Sequence, residues 1–278
     1  TMLTLENVSY RYAGARRAAL REVDLTLRDG EVVGLVGPSE AGKSTLCLVA
    51  SGLAPRTVGG TLSGRLLVDG GDMAGHPMHE LATLVGIGFQ NSATQLSGVA
   101  GTVYEEVAFG PMNLGRLRAE VIGQTEAALA ALHIEQLADR DPARLSGGQQ
   151  QLVAIASLLA VSPRHLILDE PTAQLDPAGT RLVSIAIEQL AATGRTILLV
   201  EHKTDLIARV CSRVIALAGG RMVSDGPTEQ VLGAPALRDL GVAEPSGVRL
   251  LRTAREAGVA TRALEEAILA SAPGPHRP

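Results

Sequence analysis

Aromatic residues are nearly absent from this chain of 278 residues: three Tyr, two Phe and no Trp, 2% of the total. That scarcity excludes a surface that stacks successive bases and an aromatic belt at a membrane boundary. Cysteine is just as rare, with Cys47 and Cys211 alone. Two thiols make no disulfide framework and read as small core residues of a protein kept in a reducing cytoplasm. No apolar run approaches the ~20 residues that cross a bilayer. The most apolar stretch, Leu152 to Val161, is short and is interrupted by Ser157. Met2-Leu3-Thr4-Leu5-Glu6 turns polar at once, unlike a signal peptide. Lysine occurs only at Lys43 and Lys203, every other basic side chain being Arg, and the net charge of −4 argues against broad binding to nucleic acid.

What is present is a large apolar fraction, 46%, against 19% charged residues. Such a chain buries a full core and is not intrinsically disordered. Its length suits one large domain or one domain with an appendage. Short apolar runs predict strands at Leu3-Leu5-Val8, Leu20–Leu27, Glu31–Val36, Leu66–Val68, Leu84–Ile87, His165–Leu168, Thr196–Val200 and Val214–Leu217. Between Thr102 and Ala160 the apolar period becomes helical, as in Val121, Ile122, Ala128, Leu129 and Leu132. Helical stretches at 178–192 and 204–210 separate the later strands. Strand–helix alternation predicts an α/β fold with a mainly parallel sheet, interrupted by a helical subdomain over roughly 102–160. Two short amphipathic helices are expected near 246–257 and 260–270, with a disordered tail over 272–278.

The chemistry is concentrated in three segments. Gly37-Pro38-Ser39-Glu40-Ala41-Gly42-Lys43-Ser44, followed by Thr45, matches the phosphate-binding loop G-x-x-x-x-G-K-[ST] and lies between a strand and a helix. Its glycines let backbone N–H groups face phosphate oxygens, and the helix start adds a positive dipole end. Lys43 is expected on the β and γ phosphates and the Ser44 hydroxyl on Mg²⁺. His165-Leu166-Ile167-Leu168-Asp169-Glu170-Pro171 is an apolar strand ending in two acids. Asp169 is expected to hold the metal and Glu170 to accept a proton from the attacking water, an arrangement suited to phosphoryl transfer to water. Leu145-Ser146-Gly147-Gly148-Gln149 precedes an apolar helix, with Ser146 as a good N-cap. Taken alone it is either a second anion-binding helix start or an ordinary cap.

Over roughly residues 1–235 these segments, in this order, resemble the ATP-binding cassette (ABC) ATPases. The resemblance implies a P-loop fold with a mainly parallel core sheet, an N-terminal antiparallel β subdomain and an inserted helical subdomain. It divides the chain into an ATPase domain over 1–240, a C-terminal helical extension over 241–271 and the tail. It implies ATP and Mg²⁺ as ligands and two cassettes paired head to tail, so that Ser146, Gly147, Gly148 and Gln149 act on ATP held by the other chain. Tyr12 matches the aromatic that stacks on adenine. Gln90 matches the glutamine that senses Mg²⁺ and the membrane partner. Asp176 belongs to a segment, Ala173-Gln174-Leu175-Asp176, that resembles the D-loop, and His202 matches the switch histidine at the γ phosphate. The assigned catalytic set is Glu170, His202, Lys43 and Gln90, and the metal set is Ser44, Gln90 and Asp169. Two positions depart from the family pattern: Glu40 stands where Gly is usual, and Leu152 where Arg is usual.

Phe89-Gln90-Asn91-Ser92-Ala93-Thr94-Gln95-Leu96, with Thr102 to Gly115, is similar to the corresponding region of energy-coupling factor (ECF) ATPases, although Ser92 replaces a Pro. Glu201-His202-Lys203-Thr204-Asp205 and the extension beyond 241 are also similar to that group. This implies a peripheral subunit on the cytoplasmic face of a membrane, partnered by a second ATPase, identical or paralogous, by a transmembrane coupling protein and by a substrate-binding membrane protein. Such an assembly imports vitamins or transition-metal ions. The alternatives are the ATPase of a conventional binding-protein-dependent importer and a soluble, non-transport regulator.

Overall fold

The structure, a computed structural model, describes residues 2–258 together with 262 and 264. Its strands in chain order are β1 (Met2–Arg11), β2 (Leu20–Arg28), β3 (Val32–Val36), β4 (Thr61–Val68), β5 (Gly71–Asp72), β6 (Val85–Gly88), β7 (His165–Asp169), β8 (Thr196–Val200), β9 (Arg213–Ala218) and β10 (Arg221–Pro227). They form two sheets: an antiparallel one in the order β2-β1-β4-β5, and a six-stranded one in the order β10-β9-β3-β8-β7-β6. In the larger sheet β9 through β6 run parallel, and β10 is antiparallel to β9 at the edge.

The central strands are buried on both faces, which is why they appear in the sequence as unbroken apolar runs. Alternate residues serve different cores. Val32, Val36, Leu166, Leu168, Ile197, Leu199, Val214 and Ala216 pack toward the helices. Val33, Leu35, Ile167, Leu198, Val200, Ile215 and Leu217 pack toward the antiparallel sheet and the helix Lys43–Ala50. The helices expected over 102–160 are Val103–Asn113, Arg118–Ala131 and Gly147–Ala160. The first begins with a capping box, the Thr102 hydroxyl accepting the Glu105 N–H while the Glu105 carboxylate accepts the Thr102 N–H. These helices have no core of their own: Val103, Val107, Ala128, Leu129, Val153 and Ile155 belong to the same apolar cluster as Leu166, Leu168 and Leu199. The block therefore shares one apolar core with the sheet that carries β7 and β8.

The helices expected at 178–192, 204–210 and 246–257 are found at Pro177–Ala191, Thr204–Val210 and Ser246–Glu256. The helix expected at 260–270, apart from positions 262 and 264, and the tail 272–278 lie outside the described residues. The start of the helix Ser246–Glu256 is tied to the helix Thr204–Val210, where Ser246 N–H and hydroxyl both donate to Asp205 at 2.7 Å.

Candidate functional site

The carboxyl ends of β3, β8 and β7 lie side by side, and each is followed by a loop carrying charged groups. This end of a parallel sheet is where ligands bind in open α/β folds. The loops enclose a cavity of ≈ 430 Å³. Ser39, Glu40, Ala41, Gly42, Lys43, Ser44 and Thr45 from the first loop line it, with Tyr12 and Ala19 on one side and Glu170 and His202 on the other.

The helix Lys43–Ala50 starts without a side-chain cap, so its first N–H groups are left for an anion. The loop before it demands glycine twice. Gly37 has φ +154°, and a Cβ there would run into the Leu217 carbonyl oxygen. Gly42 has φ +102°, and a Cβ there would sit 2.6 Å from the Ala19 carbonyl oxygen. The Lys43 side chain is buried, and its Nζ donates to the carbonyl oxygens of Gly37 and Pro38, each at 3.0 Å. Burial pushes its pKa below the ordinary lysine value, while Glu170 and Asp169 pull it back up. These two carbonyl bonds hold the ammonium at the loop, where a phosphate oxygen can replace them.

Asp169 ends β7 and is buried. Burial raises its pKa, a hydrogen bond from Ser44 lowers it, and the neighbouring Glu170 raises it again. Its Oδ1 has no hydrogen-bond partner. A buried carboxylate oxygen left without a partner beside a hydroxyl is a donor set that fits a hard divalent cation such as Mg²⁺. Glu170 adopts φ +50°, a left-handed conformation, and its N–H donates to Val200 O at 2.9 Å. Strain of this kind in a non-glycine residue concentrates at functional sites. Glu170 Oε1 lies 2.9 Å from His202 Nε2, so the expected base and the expected switch histidine are already paired.

Tyr12 is held from two sides. Its hydroxyl is 3.0 Å from Thr45 Oγ1, and its ring meets that of Tyr10 edge-on at a centroid distance of 4.9 Å. The ring is half-buried and lines the cavity.

The remaining expected residues are elsewhere. Gln90 is exposed beyond β6, at the far edge of the sheet, and does not line the cavity. Three strand spacings separate β6 from β3, about 14 Å. The loop after β6 is pinned by Gln95, which accepts the Phe89 N–H at 2.8 Å and donates to Ile87 O at 3.1 Å. Ser146, Gly147, Gly148, Gln149 and Asp176 do not line the cavity either. Ser146 caps the helix Gly147–Ala160 in a reciprocal pair with Gln149. Ser146 and Gly147 are exposed, whereas Gly148 is buried with its backbone against Gly179, where a Cβ would meet the Gly179 Cα at 2.6 Å. The Asp176 carboxylate accepts the Gly179 N–H at 2.7 Å and so caps the helix Pro177–Ala191. Gly148 and Asp176 thus hold two helix starts together, and Ser146 and Gly147 are left facing outward.

The profile of the ABC transporter family matches residues 20–173, more than half of the chain. The chain belongs to the ABC transporter family. It is an ATP-binding subunit of that family and an ATPase. Over 265 residues the ABC subunit is 40% identical to a Pyrococcus horikoshii relative and 38% identical to one from Pyrococcus abyssi, covering 95% of this chain and 93% and 94% of theirs. Both carry the name "Putative ABC transporter ATP-binding protein". Among solved structures it resembles CbiO1 of Clostridium perfringens, described as part of the ABC transporter complex CbiONQ, at TM-score 0.74 and 30% identity, covering 90% of this chain and 98% of that one. It also resembles the ATP-binding cassette MJ0796, solved as a dimer bound to ADP and Pi, at TM-score 0.68 and 28% identity, covering 81% and 98%.

Three residues to which sequence reasoning gives no role adjoin the Glu170–His202 pair of this ABC ATPase: Thr172, Glu201 and Lys203, joined by hydrogen bonds. The available signal is a carboxylate placed directly after the apolar run Ile197-Leu198-Leu199-Val200. Glu40 has φ +63° and an exposed side chain at the cavity. That conformation costs a non-glycine residue about 1–2 kcal/mol, and the carboxylate adds a negative charge at the loop whose motif is that of a phosphate-binding loop. Glu40→Gly is therefore expected to bind ATP at least as tightly as the native chain. A clear loss of affinity by calorimetry would show that Glu40 itself contributes to binding.

Proposed function

We propose that this ABC ATPase is the energy-coupling subunit of an ECF-type importer, hydrolysing ATP to ADP and phosphate to drive uptake of a vitamin or a transition-metal ion. The observation that carries the reading is the segment Phe89–Gly115, whose motif is ECF-like and which sits on a surface built for contact. Val99, Phe109, Met112 and Leu117 in and beside that segment are all exposed. Four exposed large apolar side chains within one stretch of sequence suit helices of a membrane partner better than water. The likeness to CbiO1, itself part of a transporter complex, supports the same reading. Among the described residues no helix is long and apolar enough to cross a membrane. We therefore place the channel on a transmembrane coupling protein and a substrate-binding membrane protein, and this chain on the cytoplasmic face beside a second ATPase.

In the proposed reaction Tyr12 supports the adenine, and the loop Gly37–Thr45 holds the phosphates. Lys43 leaves its two carbonyl partners for β and γ phosphate oxygens. His202 turns from Glu170 to the γ phosphate, which frees the Glu170 carboxylate. A water oxygen then bonds to the γ phosphorus, the bond from that phosphorus to the β,γ-bridging oxygen breaks, and Glu170 receives the water proton. Ser146 and its neighbours from the second cassette close over the γ phosphate, where their helix start stabilises charge. Asp169 and Ser44 would hold Mg²⁺, which supplies charge neutralisation at the phosphate oxygens. Gln90 is the third expected contact. Since it does not line the cavity, that contact requires Gln90 to move inward when the membrane partner and ATP are both bound.

Pull-down of the tagged chain from solubilised membranes tests the assignment. A coupling protein and a second ATPase among the partners are expected. A conventional permease would instead make this the ATPase of an ordinary importer, and the absence of any membrane partner would point to a soluble regulator.

A further inference from the structure

Glu201 follows β8 and is buried, 2% exposed, and the hydrogen bonds to its carboxylate come, among the described residues, from Thr172 and from the His202 and Lys203 N–H groups. Hydrogen-bond donors converge on it from two loops. Oε1 accepts the Thr172 N–H at 3.1 Å and the Thr172 hydroxyl at 2.7 Å. Oε2 accepts the His202 N–H at 3.2 Å and, at 3.5 Å, the Lys203 N–H. Thr172 is two residues beyond Glu170, and His202 is the next residue after Glu201. One carboxylate therefore ties together the two loops that carry the Glu170–His202 pair. Lys203 adds a second tie from the same loop, its Nζ donating to Thr172 O at 3.2 Å and to Thr180 Oγ1 at 2.9 Å. Thr180 adjoins Gly179, which packs on Gly148 behind the outward-facing Ser146.

We infer that Glu201 is a positioning residue for hydrolysis: acting through Thr172 and His202, it sets the separation of Glu170 from the γ phosphate. Lys203 extends the same clamp toward the helix start that meets the second cassette. The inference rests on the proposed roles of Glu170 and His202 and deepens them. A buried carboxylate is costly unless each oxygen is satisfied; Oε2 is satisfied within its own loop, and Oε1 only while the Thr172 loop stays at this spacing. A charged group at this position is thus a ruler between loops, which an apolar residue of similar size could not be. Gln in its place keeps one accepting oxygen but turns an N–H toward donors on the other side, so either the Thr172 tie or the bonds to the His202 and Lys203 N–H groups are lost.

The test uses the full chain. Glu201→Gln is expected to lower kcat by about 10-fold or more, because loss of positioning of ~1 Å costs up to ~100-fold, with KM for ATP changed less than about twofold. Thr172→Val, which removes one donor and keeps the side-chain shape, is expected to lower kcat in the same direction by less. Single-turnover phosphate release in a Glu170→Gln background separates positioning from general damage. If Glu201 acts through Glu170, adding Glu201→Gln there should cause little further loss. A full additional loss in that background, a kcat within twofold of native for Glu201→Gln, or a change confined to KM would each overturn the inference. Should Glu170→Gln alone leave turnover intact, the role of Glu170 falls first, and the result is recognisable as that failure. If Glu201→Gln does not fold, Thr172→Val measured alone and in the Glu170→Gln background decides the question by the same criteria.

Discussion

Replacing Glu170 by Gln is expected to remove most ATP turnover while ATP remains bound. The side chain keeps its length and can still bond to His202, so neither the φ +50° conformation at this position nor the pairing with His202 at 2.9 Å is challenged. What is lost is the capacity to take a proton from water. General-base catalysis contributes typically about 10²–10⁴-fold, or ~3–5 kcal/mol of barrier. In the proposed site, binding rests on other groups: the uncapped start of Lys43–Ala50, Lys43 itself and the Tyr12 ring. Phosphate release in the presence of excess ATP, with ATP affinity measured by calorimetry on the same sample, reads the two properties separately. Unchanged phosphate release would remove Glu170 from the role of base and direct attention to His202.

Much of this arrangement is legible in the sequence, for identifiable physical reasons. β3, β7 and β8 are buried on both faces and so appear as unbroken apolar runs. The phosphate loop can be read because Gly37 and Gly42 occupy backbone conformations closed to other residues. β10 escapes sequence reading, because it is an edge strand whose burial alternates between exposed and half-buried and which contains Asp225, Gly226 and Pro227. β4 is predicted only over its last three residues, since Thr61–Arg65 is largely exposed. The shared core of the helical block and the sheet cannot be read from periodicity, which marks a buried face but not what covers it. Glu201 stands in the sequence only as a neighbour of His202. A buried carboxylate with donors from separate loops becomes visible only once β7 and β8 lie side by side. The positive φ of Glu40 and of Glu170 has the same character, being a property of the loop path and not of the residue type.

A chain carrying Ser146→Arg and a chain carrying Lys43→Ala are each expected to be inactive alone and to recover activity when paired. The reason is the placement of Ser146 and Gly147. Both are exposed, and neither lines the cavity formed by the same chain's phosphate loop. A second copy that brings its own Ser146 over that cavity completes the site, and an isologous pair of cassettes then contains two such composite sites. In a mixed dimer one site joins the intact phosphate loop of the Ser146→Arg chain to the intact Ser146 of the other, while the second site carries both lesions. The mixed dimer, isolated through different tags on the two chains, should therefore turn over ATP at up to about half the native rate. Arginine at 146 removes a helix cap, costing ~1 kcal/mol, and places a cation at a positive helix end. That penalty is small beside the stability of a domain this size, so inactivity of the variant alone would reflect the blocked composite site. Were the phosphate loop and Ser146 instead to serve one ATP within a single chain, both halves of the mixed dimer would be dead. A silent mixed dimer would then overturn the trans arrangement, and full native activity would contradict the expectation of one working site per mixed dimer.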